Sequence, residues 1–421
     1  MTDRQSILIV CDGLRQDMVT PEYAPAIVEF SKSSCRYMNF KSVFPSTTRV
    51  VSASMATGCV PCRHGLSGNT VVIEESGGLS ICSAGPPEFR DRLRKATGRT
   101  LKKPTIAEHI APHGGSIVFS NVSPGGAYFQ DPDGYGYVYH RAGSYGPGCR
   151  PVAKSDELAI TIGHEGDRVM TERFCEEVLL NRRPAHAVLW LSEPDHTSHH
   201  FPLGSREYIA AIRHADYCVS RVLETIEQMD HENSLVMVCS DHGHETIEKI
   251  VDIGDLLVKE GLKVSLNSDD VLVAPNGGGA LIYLSPEASS KESEISEYLE
   301  TQTWTHQVYR DDDLESIGHC KNGSLFIAVD LKHSEKSNDF GIPGVCVAAS
   351  DPTSNQIMGC GTHGGLGQYV QAPFLMERGA GFNGGIEMQK SVSPMDIAPT
   401  ILQHLGISWK GMDGTSLSLN S

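Results

Sequence analysis

The sequence predicts an α/β fold: a doubly wound, mostly parallel sheet flanked by helices. Short apolar runs at residues 187–191 and 235–239 are too brief for helices and fit strands buried on both faces. Segments with helical periodicity alternate with such runs, and residues 205–229 are the clearest example. Strands that alternate with helices favour a doubly wound sheet, and 421 residues suffice for one large domain with an insertion.

The predicted elements follow one another along most of the chain. In order they are a strand at residues 7–10, helices at 24–33 and 106–110, strands at 117–120 and 187–191, a helix at 205–229, a strand at 235–239 and a closing helix at 394–406. Ser205 is a candidate N-cap of the longest helix, because a serine side chain accepts from the free N–H groups of a first turn.

Two stretches interrupt this alternation. Residues 261–350 carry short β-like runs separated by Gly, Pro and charged clusters, and we interpret them as an inserted α+β cap. The predicted catalytic core then comprises residues 1–260 and 351–421. Residues 125–149, rich in glycine and tyrosine, are interpreted as a long loop near the substrate opening.

Composition narrows the class of protein. The net charge of −17, from 35 basic and 52 acidic residues, disfavours binding to a nucleic-acid polymer. No secretory signal or membrane-spanning stretch is visible, so we expect no membrane partner. Twelve scattered cysteines predict reduced thiols in a cytoplasmic protein, and the lone CxxC pair of Cys59 and Cys62 is a weak metal or redox signal. The oligomeric state is left open, with a homodimer as one option.

Metal-ligating residue types cluster just after predicted strands. Three segments, Asp195-His-Thr-Ser-His199, Asp241-His242-Gly243 and Gly361-Thr-His363-Gly364, join Asp12 to supply three aspartates and four histidines, three of which are candidate ligands. In doubly wound sheets, ligands bind beyond the carboxyl ends of the strands. Mixed imidazole and carboxylate ligands suit two Zn²⁺ ions, although Mn²⁺ or Fe would also fit. Two adjacent metals can clamp the attacking and leaving oxygens at phosphorus.

Thr48 is the candidate nucleophile. After Pro45 a run of small residues predicts a helix that ends at Gly58, with Thr48 at its N-terminus. There the helix dipole and free N–H groups favour an anion, including a phosphoryl group or an alkoxide. The alternative is that Thr48 only caps the helix, which is a common role for threonine.

An ordered set of motifs extends this pattern. The set is Asp12-Gly-Leu-Arg-Gln-Asp17, Phe44-Pro-Ser-Thr-Thr48, Thr57-Gly58, His64-Gly65, Gly68-Asn69, Pro194-Asp195 with His199, Asp241-His242-Gly243 and Thr362-His363-Gly364. It resembles the alkaline phosphatase superfamily, most closely the nucleotide pyrophosphatase/phosphodiesterase branch and its phosphonoacetate hydrolase relative. The resemblance covers residues 7 to about 260 and about 355 to 415.

The resemblance implies a role for each matching residue. One zinc would be held by Asp195, His199 and His363, and the other by Asp12, Asp241 and His242, with Thr48 bridging toward them. Thr48 would attack phosphorus and water would release the phosphoryl-threonine intermediate. Asn69 would donate a hydrogen bond to a non-bridging oxygen. His196 and His200, which flank His199, are expected behind the ligands or facing substrate.

The chain departs from the branch pattern after the nucleophile. Arg49-Val50-Val51 stands where the diesterases usually have an aromatic residue, Pro and Asn. Arg49 either holds a phosphate or carboxylate oxygen or is a surface arginine. Lys102-Lys103 is either a second anion contact or, as the pattern favours, a solvated pair before a helix. The Cys59-x-Pro-x-Arg63 spacing resembles the sulfatase motif but follows Thr57-Gly58, which argues against that activity.

These residues leave several functions open. Hydrolysis of phosphodiesters or nucleotide-type pyrophosphates ranks first, and cleavage of the P–C bond of phosphonoacetate at the same site ranks second. A phosphomonoesterase ranks third, and a non-catalytic metal-binding relative is the remaining alternative. In every catalytic case the partner is a small phosphate or phosphonate molecule.

Overall fold

The protein is described by a computed structural model that covers residues 4–75, 77–229, 233–321, 324–354, 356–379, 381–382 and 384–417. The strands are, in chain order, β1 (Gln5–Cys11), β2 (Cys35–Phe40), β3 (Thr70–Glu75), β4 (Gly78–Ser83), β5 (Ser116–Ser120), β6 (Tyr137–Tyr139), β7 (Tyr145–Gly146), β8 (Arg150–Pro151), β9 (His186–Leu191), β10 (Ser234–Cys239), β11 (Glu245–Val251), β12 (Val271–Asn276), β13 (Gly279–Leu284), β14 (Thr305–Arg310), β15 (Leu325–Leu331), β16 (His333–Ser337), β17 (Pro343–Ala349), β18 (Gly361–Thr362), β19 (Leu375–Gly379) and β20 (Ile386–Val392).

The helices lie mostly between these strands. They are α1 (Pro25–Ser31), α2 (Thr48–Thr57), α3 (Pro61–His64), α4 (Phe89–Thr97), α5 (Ile106–Ile110), α6 (Pro124–Tyr128), α7 (His164–Arg173), α8 (Asp195–Ser198), α9 (Arg206–Glu227), α10 (Ile253–Lys259), α11 (Glu292–Glu300), α12 (Asp313–Ser316) and α13 (Ile397–His404). A π-helical segment, Phe174–Arg182, continues α7. The Ser205 side chain accepts from the Tyr208 N–H, which confirms the predicted cap of α9.

A ten-stranded sheet forms the centre of the molecule. Its order is β20-β2-β19-β10-β1-β9-β5-β6-β7-β8. The five neighbours β10, β1, β9, β5 and β6 run parallel, whereas β19 is antiparallel to both β10 and β2. This confirms the predicted α/β class and the mostly parallel sheet.

Both faces of this sheet are covered by helices. Ile7 and Ile9 of β1 join one hydrophobic cluster, and the alternate residues Leu8 and Val10 join a second. Helices α7 and α9 contribute to the first cluster, and α2 and α13 to the second. Successive side chains of a strand point to opposite faces, so uninterrupted apolar runs were the correct signal for two-sided burial.

Two four-stranded sheets lie beside the central one. One has the order β16-β17-β11-β18 and the other β12-β13-β15-β14, while β3 and β4 form a separate hairpin. Strand β11, from the predicted core, pairs in parallel with β17, from the predicted cap. The division into a core and a cap of residues 261–350 stays a prediction.

The interpretation of residues 125–149 as one long loop is wrong, although Arg141 of this segment does line the cavity described below. The segment contains most of α6 and the strands β6 and β7, and β6 extends the central sheet beside β5. Tyr128, Tyr139 and Tyr145 are buried and do not face an opening. Their aromatic rings fit a packed sheet edge, where large apolar surface is removed from water.

A disulfide joins Cys62 to Cys320. This bond corrects the expectation that all the cysteines are reduced. It also removes the CxxC pair as a metal site, because Cys59 is the one cysteine of that pair that remains free. The pairing spans 258 residues, so nothing local in the sequence indicates it. Disulfides are rare in a reducing cytoplasm, so the cytoplasmic location stays a prediction that this bond disfavours. Within the described ranges, no helix is long and apolar enough to cross a membrane.

Candidate metal centre and catalytic pocket

Three neighbouring strands end at the same edge of the central sheet. Strand β1 lies between β9 and β10 and runs parallel to both. Asp12 follows β1 directly, Asp241 follows β10 by two residues, and Asp195 follows β9 by four. The Asp195 N–H donates to the Asp12 carbonyl at 3.1 Å, which fixes two of these segments against each other. The fold therefore brings the three predicted aspartates to one edge.

The first group, which we call the inner cluster, comprises Asp12, Asp241 and His242. Potential ligand atoms of the three residues lie within 4.8 Å of one another, and all three side chains are buried. His242 Nε2 is 3.2 Å from Asp241 Oδ2 and 3.6 Å from Asp12 Oδ1. The other carboxylate oxygens are held by the indole N–H of Trp190 and the backbone N–H of Gly13, each at 3.0 Å.

The second group, the outer cluster, comprises Asp195, His199, His244 and His363. Nε2 atoms of the three histidines converge on Asp195 Oδ1, at 3.2 Å from His199, 2.9 Å from His244 and 3.6 Å from His363. His363 reaches this place from a different sheet, because β18 pairs with the start of β11. The His363 Nδ1–H donates to the Ser46 carbonyl at 2.9 Å, which aims Nε2 at the cluster.

Glycine is required between the two clusters. Gly13 has a φ of +69°, its N–H donates to Asp241, and its carbonyl accepts from His244 Nδ1–H at 3.0 Å. A Cβ atom there would lie 2.2 Å from the His244 ring. The Asp-Gly step after β1 therefore serves both a left-handed turn and a close approach of backbone to imidazole.

The inner cluster has an excess of negative charge. Burial, together with the neighbouring carboxylates Asp241 and Asp195, raises the pKa of Asp12 well above its ordinary value. Burial likewise raises the pKa of Asp241 to about 8, and burial and His244 lower the pKa of His242 to about 3. Two buried carboxyl groups this close do not both ionise unless a cation lies between them.

In the outer cluster, imidazole groups outnumber carboxylates. Burial acts to raise the pKa of Asp195, but His199 and His244 more than offset it and hold the pKa well below the usual range. Burial acts to lower the pKa of His199, and Asp195 outweighs it so that the pKa is raised. For His363, burial and the adjacent His242 lower the pKa well below its ordinary value.

The donor atoms of both clusters fit divalent metal ions. Asp12 Oδ1 and Asp241 Oδ2 are buried without a hydrogen-bond partner, and both face His242 Nε2. The His242 Nδ1–H donates to the Gly243 carbonyl, which leaves the lone pair of neutral Nε2 facing those carboxylate oxygens. Acceptors that face one another in a dry site call for a shared cation, and imidazole with carboxylate is a zinc-type ligand set.

Thr48 lies where α2 meets the inner cluster. Its Oγ1 atom is 3.3 Å from His242 Nε2, and its side chain lines the catalytic cavity. Thr48 is the first helical residue of α2, and Thr47 occupies the N-cap position without a side-chain capping bond. Helix α2 ends at Gly58 with a φ of +64°, as predicted. Capping therefore does not occupy the Thr48 hydroxyl.

A cavity of about 370 Å³ opens in front of both clusters. Asn69 lines it, and the Asn69 Oδ1 atom accepts from the Arg49 N–H at 3.4 Å, which leaves the side-chain amide N–H₂ to donate. Arg49 and Arg141 line the same cavity. Their guanidinium groups donate to neutral oxygens, including Ser123 Oγ for Arg49 and the Val122 carbonyl for Arg141.

Three further candidate residues from the sequence differ in whether they line the catalytic cavity. His196 lines the cavity, whereas His200 is exposed and packs its ring on His196. Lys102 lies against Gly65 in a separate cavity beside the disulfide, so the fold does not bring it to the catalytic cavity. The lining of the catalytic cavity thus includes His196 and excludes both His200 and Lys102.

Sequence reasoning missed two features of the site. His244 joins the outer cluster, and its signal was its position two residues after His242 on the segment that leads into β11. The second is a set of rim residues after β17, of which Asp351, Thr353 and Gln356 line the cavity. These residues carry no motif, and they follow β17, which pairs with β11.

Comparison with known proteins agrees with this geometry. Residues 6–341 match the model of the family "Type I phosphodiesterase / nucleotide pyrophosphatase". No curated protein matches the chain in sequence.

Two solved structures of murine ectonucleotide pyrophosphatase / phosphodiesterase 5 resemble the fold. Each has a TM-score of 0.68 and 15% sequence identity, and the alignment covers 98% of both chains. One of them is an inactive threonine-to-alanine variant in complex with AMP. The protein described here belongs to the type I phosphodiesterase / nucleotide pyrophosphatase family of the alkaline phosphatase superfamily and is a metal-dependent phosphoric ester hydrolase.

Proposed function

We propose that the protein hydrolyses phosphodiesters or nucleotide-type pyrophosphates at two zinc ions, through a phosphoryl-threonine intermediate on Thr48. The observation that carries the proposal is the meeting of the inner cluster, the outer cluster and the Thr48 hydroxyl at one cavity. Asp12, Asp241 and His242 would hold one ion, and Asp195, His199 and His363 the other. When bound, the two ions polarise the phosphoryl group and stabilise the attacking and leaving oxygens.

The protein residues have separable tasks in this reaction. Thr48 attacks phosphorus and the alcohol or nucleotide leaving group departs, after which water hydrolyses the phosphoryl-threonine. The first-turn N–H groups of α2 and the Asn69 amide favour the negative charge on the non-bridging oxygens. The murine relative whose threonine-to-alanine variant is inactive and binds AMP supports both the nucleophile and a nucleotide-type substrate.

Two guanidinium groups favour a substrate with further negative charge. Neither Arg49 nor Arg141 has a salt-bridge partner among the residues that the structure describes. Burial lowers the pKa of Arg49 only to about 10, so its guanidinium stays charged near neutral pH. A nucleotide pyrophosphate carries a second phosphate for these groups, and phosphonoacetate carries a carboxylate.

Phosphonoacetate cleavage is therefore the second candidate, and Arg49 is the observation that favours it. Its guanidinium lies beside the nucleophile and donates to the Asn69 carbonyl at 3.0 Å, which holds it at the cavity wall. A planar guanidinium binds a carboxylate with two parallel hydrogen bonds. The phosphomonoesterase ranks third, because a monoester needs no second anion site.

The test is a release assay with zinc-loaded protein. It compares bis-p-nitrophenyl phosphate, p-nitrophenyl phosphate and phosphonoacetate at equal concentration, with Thr48→Ala as the inactive control. Preference for the diester supports the proposal, and phosphate release from phosphonoacetate alone would transfer the protein to the second candidate. Turnover of none of the three by protein with two bound metals would favour the non-catalytic alternative.

Arg49→Gln sharpens the choice between the first two candidates. If phosphonoacetate is the substrate, the variant raises its KM because the carboxylate loses a charged partner. Lys102→Gln is the matched control, since Lys102 lies in a different cavity. An unchanged KM in Arg49→Gln would remove Arg49 as a carboxylate contact.

A further inference from the structure

A second group of metal-ligating side chains lies outside the catalytic cavity. His306, Asp330 and His333, which we call the cap cluster, each present a potential ligand atom, and these atoms lie within 4.8 Å of one another. None of the three lines the catalytic cavity. The central sheet, which carries the three catalytic-edge aspartates, contributes no residue to the cap cluster.

Two different sheets position the cap cluster. Asp330 is on β15 and His333 opens β16, which belongs to the neighbouring sheet. His306 is on β14, where the pairing with β15 shifts between Thr305 and Gln307. His306 is thus the extra residue of an irregularity beside Asp330. Such bulges re-aim a side chain that regular pairing would place elsewhere.

One oxygen of the buried Asp330 carboxylate has no hydrogen bond and faces an imidazole nitrogen. Asp330 is fully buried, and its Oδ1 atom accepts from the Leu366 N–H at 2.7 Å. Its Oδ2 atom has no hydrogen bond, and neither does His333 Nε2, which lies 3.3 Å away. The His306 and His333 rings have centroids 4.5 Å apart. A buried carboxylate oxygen without a hydrogen bond costs free energy unless a nearby positive charge compensates it.

We propose that His306, Asp330 and His333 bind a third divalent metal ion of the zinc type. Two imidazoles and one carboxylate are three of the four ligands of a tetrahedral zinc site, and exposed His306 leaves the fourth position open to water. Without a metal, His333 Nε2 faces Asp330 Oδ2 directly at 3.3 Å.

The metal would connect the cap to the catalytic site. Leu366, whose N–H is held by Asp330, is three residues after His363 of the outer cluster. The ion at the cap cluster therefore orients the carboxylate that holds this loop. The role is one of positioning, because none of the three ligands contacts the catalytic cavity.

Zinc content under equilibrium dialysis tests the proposal. Metal-free full-length protein is dialysed against buffered zinc at low-micromolar free concentration, and bound zinc per chain is measured by elemental analysis. We expect His306→Gln to hold one zinc fewer than the wild type. His113→Gln, at another exposed histidine, is the matched control and should hold the wild-type number.

Asp330→Asn is the second variant, because its amide oxygen can still accept from the Leu366 N–H while the charge is removed. We expect it to lose the same single zinc. Equal zinc content in the wild type and both variants would overturn the proposal. The readout compares chains that share an intact catalytic pocket, so it does not depend on turnover or on the proposed substrate.

Discussion

The inner and outer clusters differ in how their buried charges are compensated. The inner cluster pairs two carboxylates with one imidazole and is buried, whereas the outer cluster gathers three imidazoles around one carboxylate. Asp195 and His199 keep 19% and 35% of their side-chain surface exposed. Without metal, the inner cluster is repulsive and the outer one is nearly self-compensating. The carboxyl groups of the inner cluster therefore ionise only beside a cation. A metal at the partly exposed outer cluster can instead exchange a ligand with a molecule in the cavity.

Thr48→Ala tests the link between the inner cluster and the chemistry. We expect turnover to fall on the order of 10³-fold or more, because the attacking oxygen is removed. Bound metal should stay unchanged, since the carboxylate and imidazole ligands remain. The measurement is kcat together with elemental analysis, and Thr48→Ser is the control because it retains a hydroxyl at this position. Retained turnover would show that another group attacks phosphorus.

Glu377 shows the effect of burial on the pKa of a carboxyl group that belongs to none of the metal-ligating clusters. Burial raises the pKa of this β19 carboxyl to about 8, although the Tyr37 hydroxyl donates to it at 3.1 Å. The folded state therefore binds the proton more tightly, and this contribution to stability is full below about pH 4.5 and lost as the pH rises through 8. At about 1.4 kcal/mol per pKa unit, the loss amounts to a few kcal/mol.

Glu377→Gln should remove this decline, because the neutral amide still accepts from Tyr37. The measurement is the free energy of unfolding by denaturant between pH 5 and 9, compared with the wild type. Glu300→Gln, at an exposed site, should leave the slope unchanged. If Glu377→Gln and the wild type decline in parallel, the carboxyl is not protonated in the folded protein.

Asparagine substitutions in the two clusters should act on metal-free protein with opposite sign. Asp241→Asn relieves the repulsion with Asp12 and keeps an acceptor for the Gly13 N–H, so it should stabilise the metal-free protein by about 1–3 kcal/mol. Asp195→Asn removes the partner of His199 and His244 and should destabilise it by about 1–3 kcal/mol. The free energy of unfolding of each chelator-treated variant measures its effect. Changes of the same sign would contradict the opposite charge balance of the two clusters.

His244→Asn separates positioning from ligation in the outer cluster. The asparagine amide can still donate to the Gly13 carbonyl, but the contact from Nε2 to Asp195 is lost. We expect zinc affinity at the outer cluster to weaken 10- to 100-fold, as is typical when the group that orients a ligand is removed. Competition with a fluorescent chelator measures the affinity, and His199→Asn is the comparison because it should abolish binding there. Equal effects of the two changes would make His244 a ligand.

Local sequence patterns determined the strands and helices of the central sheet and the edge at which its aspartates lie. Apolar runs of strand length, flanked by helical periodicity, predicted the strands and helices of the central sheet because two-sided burial leaves an uninterrupted apolar signal. The same logic placed Asp12, Asp195 and Asp241 at one edge, since parallel strands share the end at which their carboxyl termini emerge. The start of α2 at Thr48 and its end at Gly58 also followed from local residues.

Only the tertiary structure decided the contacts between segments that are distant in the chain. The pairing of β18 with β11 brings His363 to His244, the disulfide joins Cys62 to Cys320, and the irregular pairing of β14 with β15 turns His306 toward Asp330. Each depends on strand register or on long-range packing, for which a single sequence carries no local signal. The metal-ligating residues at the sheet edge were therefore readable from the chain, whereas the contacts of His244, Cys320 and His306 were not.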